Sequence, residues 1–196
     1  MNRLSTSAPD VMGNVVEKTP EGHSILIATA EHAKELTEGM REMDKVECMC
    51  FGVDPSNAVE SSMDNSDMNF TVMTKDNKVM AIFGGGGGSE PYIWMLGTNQ
   101  VERYSRDFLR HCRKWVWSLA AHYGSVSNWI HADNLVCIKW LKWCGAAFSD
   151  PQLIDGELFR KFIITKYYVR RPSYSDHDGT LSSPRSHSVS GSEAAS

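Results

Sequence analysis

The residues with chemistry to offer lie mostly in the second half of the chain. His131 stands two positions before Asp133, close enough for a carboxylate to orient an imidazole for general-base work, though a lone histidine at a strand end is more often simply hydrogen-bonded. Five consecutive glycines, Gly84 to Gly88, invite comparison with a phosphate-cradling loop. Such a loop is completed by a Lys-Ser/Thr pair and a following helix, and without them the run reads as a flexible connection leaving a strand. Arg103, Arg106, Arg110, Arg113 and Lys114 place five cations within twelve residues, by default a solvated helix flank and otherwise a surface for an acidic partner. Six tryptophans weigh on the same choice. Trp117 falls off the apolar stripe of its helix, and Trp140 and Trp143 flank Leu141, so at least one ring is expected at the surface. Exposed indoles beside arginines are common interface anchors, which makes Trp117, Trp143, Arg106, Arg110 and Arg113 the candidate partner-binding residues. Cys48-Met49-Cys50 is too isolated to read as a metal site, and no metal is expected.

The elements that must position these groups follow from periodicity and capping. Ser24 to Ala28 reads as a strand, and Thr29 caps a helix carrying Ala33, Leu36, Met40 and Met43 on one face. Asp54-Pro55 opens a second helix, since aspartate caps well and proline suits the first helical position. Phe70 to Met73 and Lys78 to Phe83 form a hairpin about Lys75-Asp76-Asn77, and Tyr92 to Leu96 is a further strand. One long helix is expected from Val101 to Tyr123, its stripe formed by Tyr104, Phe108, Cys112, Trp115, Val116, Leu119 and Tyr123. Asn128 to Ala132 is a strand. Asp133 or Asn134 caps a helix that ends at Gly145, with Leu135, Ile138, Leu141 and Cys144 at core spacing and Lys139 and Lys142 turned away. Leu158 to Tyr167 supplies the last strand.

This order, β–α–α–β–β–β–α–β–α–β, predicts an α+β domain with a mixed sheet flanked by helices. Together with the unit Asn134 to Phe148 (strand, Asn, helix, small–Gly–x–x–Phe) it resembles the GNAT family of N-acetyltransferases over about Ser24 to Tyr168. The segments AIFGGGGG, YIWMLGT, FLRHCRKWV and WIHADNLVCIKWLKWCGAAF, in that order, resemble more closely a family of short-tailed bacteriophage proteins related to internal virion protein A. The resemblance implies a phage protein of GNAT-like fold, made in the host cytoplasm, associated with the virion or its assembly and acting through contacts with other virion proteins. It also implies where acetyl-CoA would lie if the domain were active: on Leu96, Gly97, Thr98, Arg103 and Asn134, with His131 or Glu90 as base. Two departures stand against turnover. The pyrophosphate turn of such enzymes has paired glycines, whereas Leu96 to Arg103 has Gly97 alone and an acid, Glu102, in the first helical turn. The position four before Gly145, often a tyrosine that protonates the leaving thiolate, is Leu141. Neither catalytic residues nor a cofactor are therefore expected. An active N-acetyltransferase is the first alternative, and a phage protein that binds and modulates a host target is the second.

Composition bounds the rest. A chain of 196 residues with 41% hydrophobic content buries one good-sized core, so a single domain at 23–171 is expected, between a flexible arm at 1–22 and a Ser-rich flexible tail at 172–196. A formal charge of -4 lacks the basic excess of a general nucleic-acid binder, and no direct sequence-specific binding is expected. No apolar run has the length of a membrane span, and the N-terminus shows no signal-peptide core. Five cysteines, an odd number with three of them in apolar helical patterns, read as reduced thiols of a cytosolic protein. The sequence leaves the oligomeric state open.

Overall fold

The computed structural model describes residues 15–165, and the tail expected at 172–196 lies outside them. Strands β1 (Val15–Lys18) and β2 (Ser24–Ile27) form a hairpin, so the folded domain begins inside the segment expected to be a flexible arm. Val15–Lys18 carries too little periodicity to be recognised alone, and its strand exists because β2 offers it an edge. Helix α1 (Ala30–Glu38) is capped by Thr29, whose side chain accepts from His32 N. The single helix expected through Met43 stops at Gly39, whose N–H returns to the carbonyls of Glu35 and Leu36. Met40 then bridges to Thr98, and a separate α2 (Glu42–Cys50) carries Met43 on its exposed side. α3 (Pro55–Asp64) begins as expected, with Asp54 accepting from Ser56 N at 2.9 Å.

Strands β3 (Met68–Met73), β4 (Val79–Gly86) and β5 (Tyr92–Gly97) continue the sheet antiparallel. Gly84 to Gly86 belong to β4 and are buried, which corrects for these three the reading of the glycine run as a flexible connection, whereas Gly87 and Gly88 do lie in the connection to β5. A Cβ on Gly84 would sit 2.4 Å from the Met68 carbonyl oxygen, and one on Gly86 would sit 2.7 Å from the Tyr92 ring. These glycines let neighbouring groups pack onto the backbone. The expected long helix is broken at Tyr104 into α4 (Gln100–Arg103) and α5 (Ser105–Tyr123). β6 (Ser125–His131), α6 (Leu135–Trp143), the short strands β7 (Ala147–Phe148) and β8 (Gln152–Ile154), and β9 (Glu157–Thr165) complete the chain. β7 and β8 are too short to show a pattern of their own and pair with β9.

The sheet order is β1-β2-β3-β4-β5-β6-β9-β7 with β8 also on β9, and β5–β6 is its parallel pair. α1 and α3 cover one face over Leu26, Leu36, Val59, Val79 and Ile82. α5 and α6 cover the other over Ile93, Val116, Leu119, Ile138, Leu141 and Phe162. Leu135, placed on the core stripe by its spacing, is 61% exposed, because the inward side of α6 begins a turn later with Ile138.

Candidate functional site

The parallel pair β5–β6 is joined at one register position, Tyr92 with Ser127, and the strands then diverge toward their C-terminal ends. Asn128 spans the start of the gap, its side-chain amide donating to the Ile93 carbonyl at 2.8 Å. The wedge opens into a cleft of about 280 Å³ whose lining includes Met95, Asn128, Cys137 and the α2 side chains Asp44 and Glu47. Ligands in open sheets of this kind bind at such a divergence.

The α2 acids hold both rims of the wedge. On the β5 rim, Asp44 accepts from Gly97 N at 2.7 Å and takes two hydrogen bonds from Arg41, Nη2 at 2.8 Å and Nε at 3.1 Å. The Arg41 backbone N–H donates to the Gly97 carbonyl, which ties the α1–α2 junction to the strand end. On the β6 rim, Glu47 accepts from Asn134 Nδ2 at 2.9 Å and from His131 N at 3.3 Å. Burial pushes both carboxyls above their ordinary range, against the pull of Arg41 and Gly97 N on Asp44 and of Asn134 on Glu47. Sequence reasoning missed Arg41, Asp44 and Glu47. Their only mark in the sequence is an acidic pair three residues apart, which any solvated helix also carries.

Around the helix start after β5 the N–H groups of Thr98, Gln100 and Val101 are engaged within the protein. Thr98 N donates to the Met80 carbonyl, Thr98 Oγ1 donates to the Val79 carbonyl at 2.8 Å and accepts from Gln100 N, and Val101 N donates to the Thr98 carbonyl. Leu96 packs toward the α1–α3 core, and Arg103 lies over the Tyr104 ring at 5.3 Å. Asn134 caps α6 through Cys137 N while its amide serves Glu47. The structure thus ties Gly97 and Asn134 to α2 on opposite rims of the wedge, keeps Leu96 in the cleft lining, holds Thr98 on the β4 carbonyls and leaves Arg103 over Tyr104.

The candidate bases are not aimed into the cleft. His131 is buried, its Nδ1 accepting from Asp133 N at 3.1 Å, its Nε2 3.4 Å from Glu157 and its ring edge-on to Phe159. Glu90 lies in the exposed loop between β4 and β5, 77% exposed and 3.4 Å from Lys161. Burial pushes the Cys112 thiol up to about 11 and that of Cys144 to about 12, so neither supplies a thiolate at neutral pH.

Of the partner candidates, Arg113 lies between two indoles, 4.1 Å from the Trp117 ring and 4.7 Å from that of Trp143. Trp143 is 45% exposed, whereas Trp117 is half-buried and donates Nε1 to the Cys144 carbonyl at 2.7 Å. Arg110 is already paired with Glu21 at 3.0 Å and Asp107 at 3.5 Å, and Lys114 with Glu17 at 2.8 Å. Arg106 is exposed. Among the described residues no cluster of three His, Cys, Asp or Glu side chains could hold a metal, and no helix is long and apolar enough to cross a membrane.

Fold and wedge together define a GNAT-like α+β domain, and comparison with solved structures agrees. The acetyltransferase (GNAT family) from Bacillus anthracis superposes with a TM-score of 0.54 at 13% identity, covering 76% of this chain and 98% of that one. The spermidine N-acetyltransferase from Vibrio cholerae in complex with CoA and spermine gives 0.54 at 8% identity, covering 74% and 96%. A chimera of that Vibrio cholerae enzyme with hSSAT gives 0.55 at 10%, covering 76% and 99%. At these identities the likeness is one of fold. In sequence, residues 69–152 match the family model described as Bacteriophage T7, probable scaffold protein Gp13, which links the chain to phage proteins. No curated protein matches.

Acetyl-CoA is the cofactor that this fold implies, and the residues here do not fit it. The Gly97 N–H that would meet a pyrophosphate donates to a carboxylate, Asp44. A buried acid, Asp44, stands on one rim of the wedge and a partly buried one, Glu47, on the other, and Leu141, four residues before Gly145, is buried and cannot give a proton.

Proposed function

We propose that this chain is a bacteriophage virion-associated or assembly protein that uses the acetyltransferase frame as a scaffold for protein–protein contacts, without acetyl transfer. The observation that carries the reading is the Asp44 carboxylate on Gly97 N: an anion of the protein's own stands where the fold would hold the anionic part of a cofactor. The match to the phage scaffold family supports an assembly role, and the resemblance of the sequence segments to internal virion protein A favours the virion as the destination after synthesis in the host cytoplasm. The exposed Trp143 stacked on Arg113 supports a contact surface on α5 and α6.

Calorimetric titration with acetyl-CoA tests this directly. The expected result is no binding at low-micromolar concentrations, the range in which working enzymes commonly hold their substrates. A low-micromolar dissociation constant, with release of free CoA in the presence of an amine, would replace the proposal with the second reading, an active N-acetyltransferase, for which the retained β5–β6 wedge speaks.

A further inference from the structure

The two helical layers carry opposite charge. On α5 and α6 the ionised side chains are Arg106, Arg110, Arg113, Lys114, Lys139 and Lys142 against one acid, Asp107, which is turned to His23 and Arg110. Arg110 and Lys114 are neutralised from the β1–β2 hairpin, but Arg106, Lys139 and Lys142 are exposed and make no ion pair among the described residues. Across the sheet, α1, α2 and α3 expose Glu31, Glu38, Glu42, Glu60 and Asp64, with Lys34 exposed and Lys45 taken up by Glu42. Each layer also bares apolar groups next to its charges: Leu109, Val136 and Trp143 on the basic side, Met43, Val46 and Met49 on the acidic side. Val136 is 81% exposed, unusual for a valine on a helix that packs against a core.

We infer that the basic α5–α6 face of one copy docks on the acidic α1–α3 face of the next. The two surfaces are complementary in charge and both include apolar anchors, while either face set against itself would oppose like charges. Such a contact uses different surfaces on its two sides, so it is heterologous and leaves a free face at each end, from which a ring or an open stack grows. The inference rests on the charge and the exposed apolar groups of the two faces and holds whether or not the wedge binds a cofactor.

Sedimentation velocity on the full chain tests it. In about 20 mM salt the sedimentation coefficient should rise with protein concentration, and in about 500 mM salt, where the screening length falls from roughly 20 Å to about 4 Å, it should return to that of the monomer. Arg106→Glu with Lys139→Glu should abolish association, and so should Glu38→Lys with Glu60→Lys. An equimolar mixture of the two double variants should associate again, because each reversed face then meets its complement. That recovery also shows that both variants are folded. A chain that stays monomeric in low salt, an oligomer indifferent to salt, or a mixture that fails to recover would each overturn the inference.

Discussion

At the scale of single residues, Asp44 is the side chain on which the wedge depends. Its side chain is 3% exposed and that of Arg41 15%, so the pair is largely out of water, and the carboxylate also accepts the Gly97 N–H. Removing one partner of such a pair leaves the other charge uncompensated, which costs more than the intact pair contributes. Asp44→Ala should therefore destabilise the domain by about 3 kcal/mol, the lower end for buried pairs because Arg41 keeps some solvent. Asp44→Asn, which retains an acceptor for Gly97 N, should cost less. Urea denaturation followed by tryptophan fluorescence measures both, and equal midpoints for Asp44→Ala and the parent would show that the charge is not held in this way. His131 belongs to the same scale: with one ring nitrogen on a backbone N–H and the other facing Glu157, it fastens the start of α6 to β9.

At the scale of elements, α6 is a helix whose inward positions are spent on packing. Ile138, Leu141 and Cys144 form its buried side, Asn134 caps its start and Gly145, at φ +96°, ends it, so cap, stripe and stop agree on one short helix. Leu141 is 3% exposed in the core between α6 and the sheet. Leu141→Ala should cost about 2–5 kcal/mol through lost burial and the cavity left behind, read as a shift of the thermal or denaturant midpoint. A loss below about 1 kcal/mol would place the side chain outside a well-packed core. The split of the expected long helix at Tyr104 has its own cause. Tyr104 is edge-on to buried His23 and hydrogen-bonds Asp76, so contacts from two distant turns fix the backbone between α4 and α5.

At the scale of the whole molecule, the described residues form one sheet from β1 through β9, and the Ser-rich segment beyond Pro172 is proposed to be dispensable for it. It carries too few apolar residues to offset roughly 1–2 kcal/mol per residue of backbone entropy. Limited proteolysis should trim the chain beyond about Pro172 to a resistant core that keeps its unfolding midpoint, and a tail that survives in the free monomer would contradict the proposal. Much of this architecture was legible beforehand. Apolar spacing with a clear cap or turn residue marked β2, α3, the β3–β4 hairpin, β5, β6 and α6, and so the GNAT-like order, because those signals act within a few residues along the chain. The departures from an acetyltransferase site at Gly97, Glu102 and Leu141 were visible for the same reason. What only the tertiary structure decided depends on groups far apart in sequence. Gly84 to Gly86 became strand because Met68, Tyr92 and Trp94 close over them, and β1 became a strand because β2 offers an edge. Asp44 left the solvent and Glu47 became partly buried because α2 lies across the wedge, meeting Gly97 and Asn134 from more than fifty residues away, a placement that no local periodicity encodes.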